Sequence, residues 1–293
     1  MSTAPSPAVR NWLPKLVVAP SFVLGFAFIY GLIAWNGYFS VSASRLLPNY
    51  EFAGFEPYVT LFESERFQVA LKNLVIFGTL FIGGAMALGL LLAVLLDQKI
   101  RAEGALRTIY LYPMALSFIV TGTAWKWILN PGLGLEKVMN DWGWTSFSFD
   151  WLVNPDYAIY CVVIAGVWQS SGFVMALFLA GLRGIDESII KAAQVDGASL
   201  PRIYWRILIP SLRPVFFSTL MVLSHIAIKS FDLVMALTAG GPGYATDLPA
   251  TFMYAMAFSR GQINLGAASA TIMLATVAAI VVPYLYSELR SRK

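Results

Sequence analysis

The chain alternates long, nearly uncharged apolar runs with shorter polar intervals. A helix needs about 20 mainly apolar residues to cross the hydrocarbon core of a bilayer. Six runs meet that length: 16–35, 74–96, 108–129, 158–182, 215–237 and 265–286. The pattern predicts an all-α membrane protein with six transmembrane helices. The first run follows Arg10 and Lys15 and is long for a signal-peptide core. With no small-residue cleavage site directly after it, it is read as an uncleaved first span. Residues 1–11 and 290–293 are read as terminal tails.

One polar interval differs from the others. Residues 186–214 read DESIIKAAQVDGASLPRIYWRILIPSLRP. Asp186 suits a helix N-cap, because its carboxylate can accept from a free backbone N–H. Gly197 stands where that helix should stop, since glycine enters the left-handed region without a side-chain clash. Ser199 and Pro201 suit the start of a second helix. Ile185, Ile189, Ile190 and Ala193 share a helical face. Ala192, Ala193, Gly197 and Ala198 are small enough to let another surface approach. The prediction is a helix–Gly–helix element lying along the membrane surface.

Charge decides which surface. With the N-terminus in the cytoplasm, thirteen of the 20 Lys and Arg fall in inner segments and five in outer ones, Lys126 and Lys229 lying within spans. Basic residues favour cytoplasmic loops, so both termini and residues 186–214 are expected inside. Lys126 sits between Trp125 and Trp127 near the outer end of its span and is expected to snorkel to the headgroups. The outer interval 36–73 carries Glu51, Glu56, Glu63 and Glu65. The outer interval 130–157 is rich in Trp and Phe, suiting an interfacial belt or a docking surface.

Composition then excludes several classes. Charged residues make up 12% and apolar residues 58%, with mean hydropathy +0.69; soluble domains carry about 25% charged residues. The single cysteine, Cys161, lies in an apolar run and is expected to pack there. No GxxxxGK[ST] phosphate loop, nucleophile–base set or metal cluster is evident, so no catalytic or metal-ligating residue is assigned. Nothing points to nucleic acid. Ionisable groups within a span are presumptive functional sites. His225, Lys229 and Asp232 lie near one face of the fifth run, and a Lys229–Asp232 ion pair is expected there. His225 is read as a packing group. Gln169, Ser171, Ser224, Lys229 and Asp232 are the candidates for a polar pathway, with Trp168 and Phe173 as stacking faces.

Lys191-Ala192-Ala193, three residues, Gly197, nine residues, then Ile207-Leu208-Ile209-Pro210 resembles the EAA motif of ABC importer permeases. Lys191 stands where that motif has Glu, and Ile209 where it has Leu. Asp196-Gly197-Ala198 resembles the DGA of the sugar-importer branch. Ser230 to Leu233 and the turn TAGGPG at 238–243 resemble the SFD…TxGGPG stretch of the maltose and glycerol-phosphate permeases. WQSSGFVMALFLAGL at 168–182 looks like the same branch. YPMALSFIVTGTAWKWILNPGLGL at 112–135 is most similar to permeases of glucose/mannose importers.

The resemblance covers 73–289 and implies an importer transmembrane domain there, preceded by a first span and outer loop at 12–72. It implies that Lys191, Ala192, Ala193, Asp196, Gly197, Ala198, Ile207 and Pro210, within 186–210, couple to an ATPase. Gly240, Gly241 and Pro242 would form an outer turn or gate. It further implies a second, similar permease, two ATP-binding subunits that hold ATP and Mg, an extracytoplasmic sugar-binding protein, and a bacterial inner membrane. An ion-driven secondary transporter is the alternative. Six runs without an evident repeat, and one buried acid, weigh against it.

Overall fold

The computed structural model describes residues 7–98 and 100–291. The calls on Lys99, Arg292, Lys293 and residues 1–6 lie outside them. Apart from a Ser42–Phe52 bridge, the regular structure of the described residues is helical. Four helices are long and apolar enough to cross a membrane: α1 (Pro7–Ser40), α3 (Glu65–Asp97), α7 (Ala158–Arg183) and α14 (Ile263–Ser291). Two bent pairs raise the number to six if each counts as one span. The short α2 (Glu56–Glu63) caps one end of the bundle. Helix α1 begins within the segment expected to be a tail. The boundary expected at 72/73 falls inside α3.

Helices α3 and α7 form the spine and run side by side in the same direction. Lipid tails are as apolar as leucine, so membrane helices associate through close packing of small residues. A Cβ on Gly89 would stand 2.5 Å from Val174, and one on Gly84 3.0 Å from Val167. Phe77, Phe81, Met175 and Phe178 fill the same core, and Cys161 is fully buried there, as expected. Helix α1 is almost wholly exposed along its apolar length. It joins α14 through Asn36, whose Nδ2 donates to the Ala267 carbonyl at 3.2 Å and to Thr271 Oγ1 at 3.1 Å.

The third and fifth spans correct the reading of continuous helices. The third is α4 (Glu103–Ala115) and α5 (Phe118–Ile128), bent by 100°. Pro113 lacks an N–H for the helical ladder, Leu116 and Ser117 are extended, and Ser117 Oγ accepts from the Val120 N–H at 3.3 Å. Proline and a new N-cap thus end one helix and begin another. The fifth is α11 (Arg213–Ile228), a gap, and α12 (Asp232–Leu237). Helix α12 packs on α5, where a Cβ on Gly122 would come 2.7 Å from that of Ala236. Bare backbone at membrane depth is tolerated only where protein or a cavity surrounds it.

Two ends of the bundle are tied by polar contacts. At one end, Arg183 closes α7 and pairs with Glu103 at the start of α4, at 2.7 Å. At the other, Arg66 near the start of α3 pairs with Asp247, which precedes α13 (Pro249–Tyr254). Between α5 and α7, the short α6 (Leu135–Asp141) is followed by a ladder of rings, with Phe149 stacked on Trp151 and Trp151 on Tyr157.

Candidate functional site

After α7 the chain forms the predicted helix–Gly–helix. Helix α8 (Glu187–Val195) starts at Asp186, whose Oδ1 accepts from the Ser188 N–H at 2.8 Å. That bond holds the exposed Asp186 carboxyl below its ordinary range. At the other end the Ala198 N–H donates to the Ala193 carbonyl and the Gly197 N–H to that of Gln194, both at 3.0 Å. Gly197 has φ +77. This pair of bonds is a Schellman closure.

Ser199 takes the N-cap position of α9 (Leu200–Ile203), although its side chain makes no capping bond. A π-helical stretch (Tyr204–Leu208), α10 (Ile209–Ser211) and a 63° bend lead into α11.

Two faces of this element differ. Ala193, Ile203 and Leu208 are buried in the core, with Ile185, Ile190, Ala198 and Ile207 packed against it. The expected small-residue face is therefore split: Ala193 and Ala198 turn inward, while Ala192 and Gly197 stay exposed. Ile189, expected to share a face with Ile185, Ile190 and Ala193, is exposed instead. On the outward side Val195 is 88% exposed and Trp205 73%, and Ile189 and Leu200 are also exposed. Space around Gly197 is open, with nothing within 4 Å of an added Cβ. Lys191 pairs with Glu187 one turn back, at 2.8 Å, on this exposed side, and Asp196 and Pro210 are exposed too.

The pathway candidates fall into two sets. Gln169 is buried on α7, and its Nε2 donates to the Leu116 carbonyl freed by the α4–α5 break, at 2.8 Å. Its Oε1 has no partner among the described residues. The hydroxyls of Ser171 and Ser224 are buried and bond back to their own helices, to Trp168 and Leu220 carbonyls. His225, Lys229 and Asp232 are exposed.

The expected Lys229–Asp232 pair is absent among the described residues. Helix α11 ends at Ile228, so residues 229 and 232 no longer share the three-residue spacing of one continuous helix. Trp168 lies edge-on to Trp125 in an apolar groove of about 700 Å3 with Trp151, Tyr160 and Val167. A lining so poor in polar atoms offers little to hydroxyl groups.

The expected outer turn is held tightly. Gly240 and Gly243 have positive φ, and so does Ala239 at +54. Thr246 Oγ1 meets Thr238 Oγ1 at 2.7 Å and donates to the Gly241 carbonyl at 2.9 Å. Asp247 is 1% exposed, and its Oδ1 accepts from Thr251 Oγ1 at 2.7 Å. Its Arg66 partner lies 4.5 Å above the Tyr244 ring. Asn73 Nδ2 donates to the Asp247 carbonyl at 3.0 Å. Sequence reasoning missed this clamp and the Gln169–Leu116 contact; Pro113 followed by Ser117 was the available signal for the break.

The chain thus combines span-length apolar helices with an exposed apolar surface at one end and a clamped turn at the other. Residues 85–292 match the family described as the binding-protein-dependent transport system inner membrane component, and the chain belongs to that family. Its members are transport components, not enzymes. A probable ABC transporter permease protein of Pyrococcus horikoshii is 40% identical over 92% of this chain and 94% of its own. The xylose/arabinose import permease XacH of Haloferax volcanii is 37% identical over 91% and 85%. The fold is similar to that of a bacterial ABC transporter involved in import of the acidic polysaccharide alginate, with TM-score 0.84, 22% identity and 97% of each chain covered.

Proposed function

We propose that this chain is one permease subunit of an ATP-driven sugar importer and forms half of the transmembrane pathway. The observation that carries this is the exposed apolar surface of Val195, Trp205, Ile189 and Leu200 around the open bend at Gly197. Such a surface on a polar segment between spans suits a protein partner. Residues 186–210 are its docking element for an ATPase subunit that holds ATP and Mg. The bias in Lys and Arg supports a cytoplasmic position for this element and for both termini. A second, similar permease completes the pathway, and a sugar-binding protein delivers substrate at the clamped Gly240–Pro242 side.

The substrate is a neutral monosaccharide, glucose or mannose by resemblance of 112–135 and a pentose by the named substrates of XacH. Gln169, whose Oε1 is a free acceptor, is the best-placed candidate to meet a sugar hydroxyl; Lys229 and Asp232, exposed at the α11–α12 gap, face the expected second subunit.

The test is reconstitution in proteoliposomes with the ATPase, the second permease and the binding protein. Glucose, mannose, xylose and arabinose should be compared for stimulation of ATP hydrolysis and for uptake. Uptake that continues without ATP under an ion gradient contradicts the reading. Gly197→Trp should leave insertion intact and separate hydrolysis from uptake.

A further inference from the structure

Tyr204 opens the π-helical stretch that follows α9. π-helical turns are rare and often mark functional positions. Its hydroxyl donates to Asp97 Oδ2 at 2.5 Å and accepts from Gln98 Nε2 at 2.8 Å. Asp97 is the last residue of α3, and Gln98 is the extended residue that caps it. The contact joins positions 107 residues apart. Burial, and then the neighbouring Asp97 carboxylate, raise the Tyr204 phenol above its ordinary range. A hydrogen bond to an ionised carboxylate is about twice as strong as a neutral one.

Around this contact the packing is stiff on both sides. Ile203 and Leu208 flank Tyr204 and are buried in the same core as Leu92 and Leu96 of α3. Helix α3 is interlocked with α7 through Gly84 on Val167 and Gly89 on Val174. Helix α7 carries Gln169, which holds the Leu116 carbonyl at the α4–α5 break. A rigid aromatic ring with two side-chain torsions thus connects the segment after the Gly197 bend to the spine of the bundle.

We propose that Tyr204 is a positioning residue that transmits displacement of the α8–α9 element to the inner end of α3, and through α3 and α7 to the break beside Gln169. This rests on the reading of residues 186–210 as the ATPase-docking element. The chain also offers a direct covalent route from α8 back into α7 through residues 184–186. The Tyr204 link adds a second attachment point on α3, so the two helices of the spine move together.

The experiment uses the full complex in proteoliposomes and reads three quantities: ATPase subunit retained on purification, ATP hydrolysis stimulated by loaded binding protein, and substrate imported per ATP. Tyr204→Phe keeps the ring and removes only the hydroxyl. It should retain the ATPase subunit and its stimulated hydrolysis while import per ATP falls about tenfold, the scale of one lost charge-assisted hydrogen bond. Asp97→Asn, which keeps an acceptor oxygen, should fall less. A Tyr204→Phe/Asp97→Ala double variant should be no worse than Asp97→Ala alone, because both remove one link.

Normal import per ATP in Tyr204→Phe, with Gly197→Trp still uncoupled, overturns the proposal and leaves the docking element standing. Normal coupling in both variants overturns the docking reading itself. Should Tyr204→Phe not assemble, Asp97→Asn and Gln98→Leu carry the same test, and unchanged import per ATP in both overturns the proposal.

Discussion

Helix α7 and the α11–α12 pair both come from apolar runs of span length, yet the first is whole and the second, which carries Lys229 and Asp232, is broken. Helix α7 is surrounded by protein on most sides, with Gly166 letting α3 and α12 come close and Gly172 letting α4 do so. It runs without interruption from Ala158 to Arg183. Helix α11 stops at Ile228, and its successor begins four residues later with Asp232. Lys229 and Asp232, on either side of that gap, are exposed and Ser230 between them is buried, whereas Gln169, Ser170 and Ser171 on α7 are all buried. A bundle of this kind keeps its spine regular and places irregular backbone where a neighbour can answer it. The α4–α5 break shows the answering group directly: Gln169, on the whole helix, donates to the carbonyl that the broken one releases.

Substitutions on the whole helix should therefore disturb the broken ones. The largest effect is expected for Gly172→Ala. Its Cβ would fall 1.9 Å from the Tyr110 carbonyl oxygen, a backbone atom of α4 that cannot rotate away. Overpacking of this kind costs about 1–3 kcal/mol or more, and the thermal midpoint of the detergent-solubilised complex should drop accordingly. A midpoint equal to wild type would mean that α4 moves freely against α7, and the contrast between rigid and adaptable helices would dissolve.

Gln169→Leu should come next. It leaves the Leu116 carbonyl without its donor, at a cost of about 1–3 kcal/mol, and removes the free Oε1 acceptor. Sugar uptake should fall while Gln169→Glu, which keeps an acceptor, binds substrate better than the leucine variant. Equal uptake in all three would show that the Gln169 Oε1 takes no part in holding substrate.

Ala239→Gly sharpens the comparison from the other side, because the outer turn is irregular backbone held by side chains. Alanine at φ +54 is strained by about 1–2 kcal/mol relative to glycine. The glycine variant should be slightly more stable, by less than that amount, since glycine also has more freedom to lose when the chain folds.

The smallest effect concerns Asp186. Its folded carboxyl value is lowered by the Ser188 N–H, so its contribution to α8 is present above the ordinary carboxylate range. That contribution is lost as pH falls through the lowered value, below about 4. ATPase association should be insensitive to Asp186 titration between pH 6 and 8, and an Asp186→Ser variant should remove the acid-dependent loss.

Much of the fold was legible because membrane insertion reads composition over about 20 residues at a time. All six apolar runs correspond to helical segments, and the Asp186 cap and the Gly197 stop lie where their residue types placed them. Those features are local. The breaks were not legible from hydropathy, since Leu116 and Ser117 sit in a run as apolar as its neighbours. Nor was the inward turn of Ala193 and Ala198, which depends on which face the bundle offers. The Arg66–Asp247 clamp joins charges 181 residues apart and has no signature in either neighbourhood.

The sequence alone determined a helical chain with six apolar runs of span length, the helix–Gly–helix element and its resemblance to importer permeases, because length, capping chemistry and motif spacing are written in consecutive residues. Tertiary structure alone decided where spans break, which polar atoms stay unpaired and which charges meet. Each of those outcomes depends on whether a distant side chain satisfies a buried polar group, as Gln169 does for Leu116 from 53 residues away.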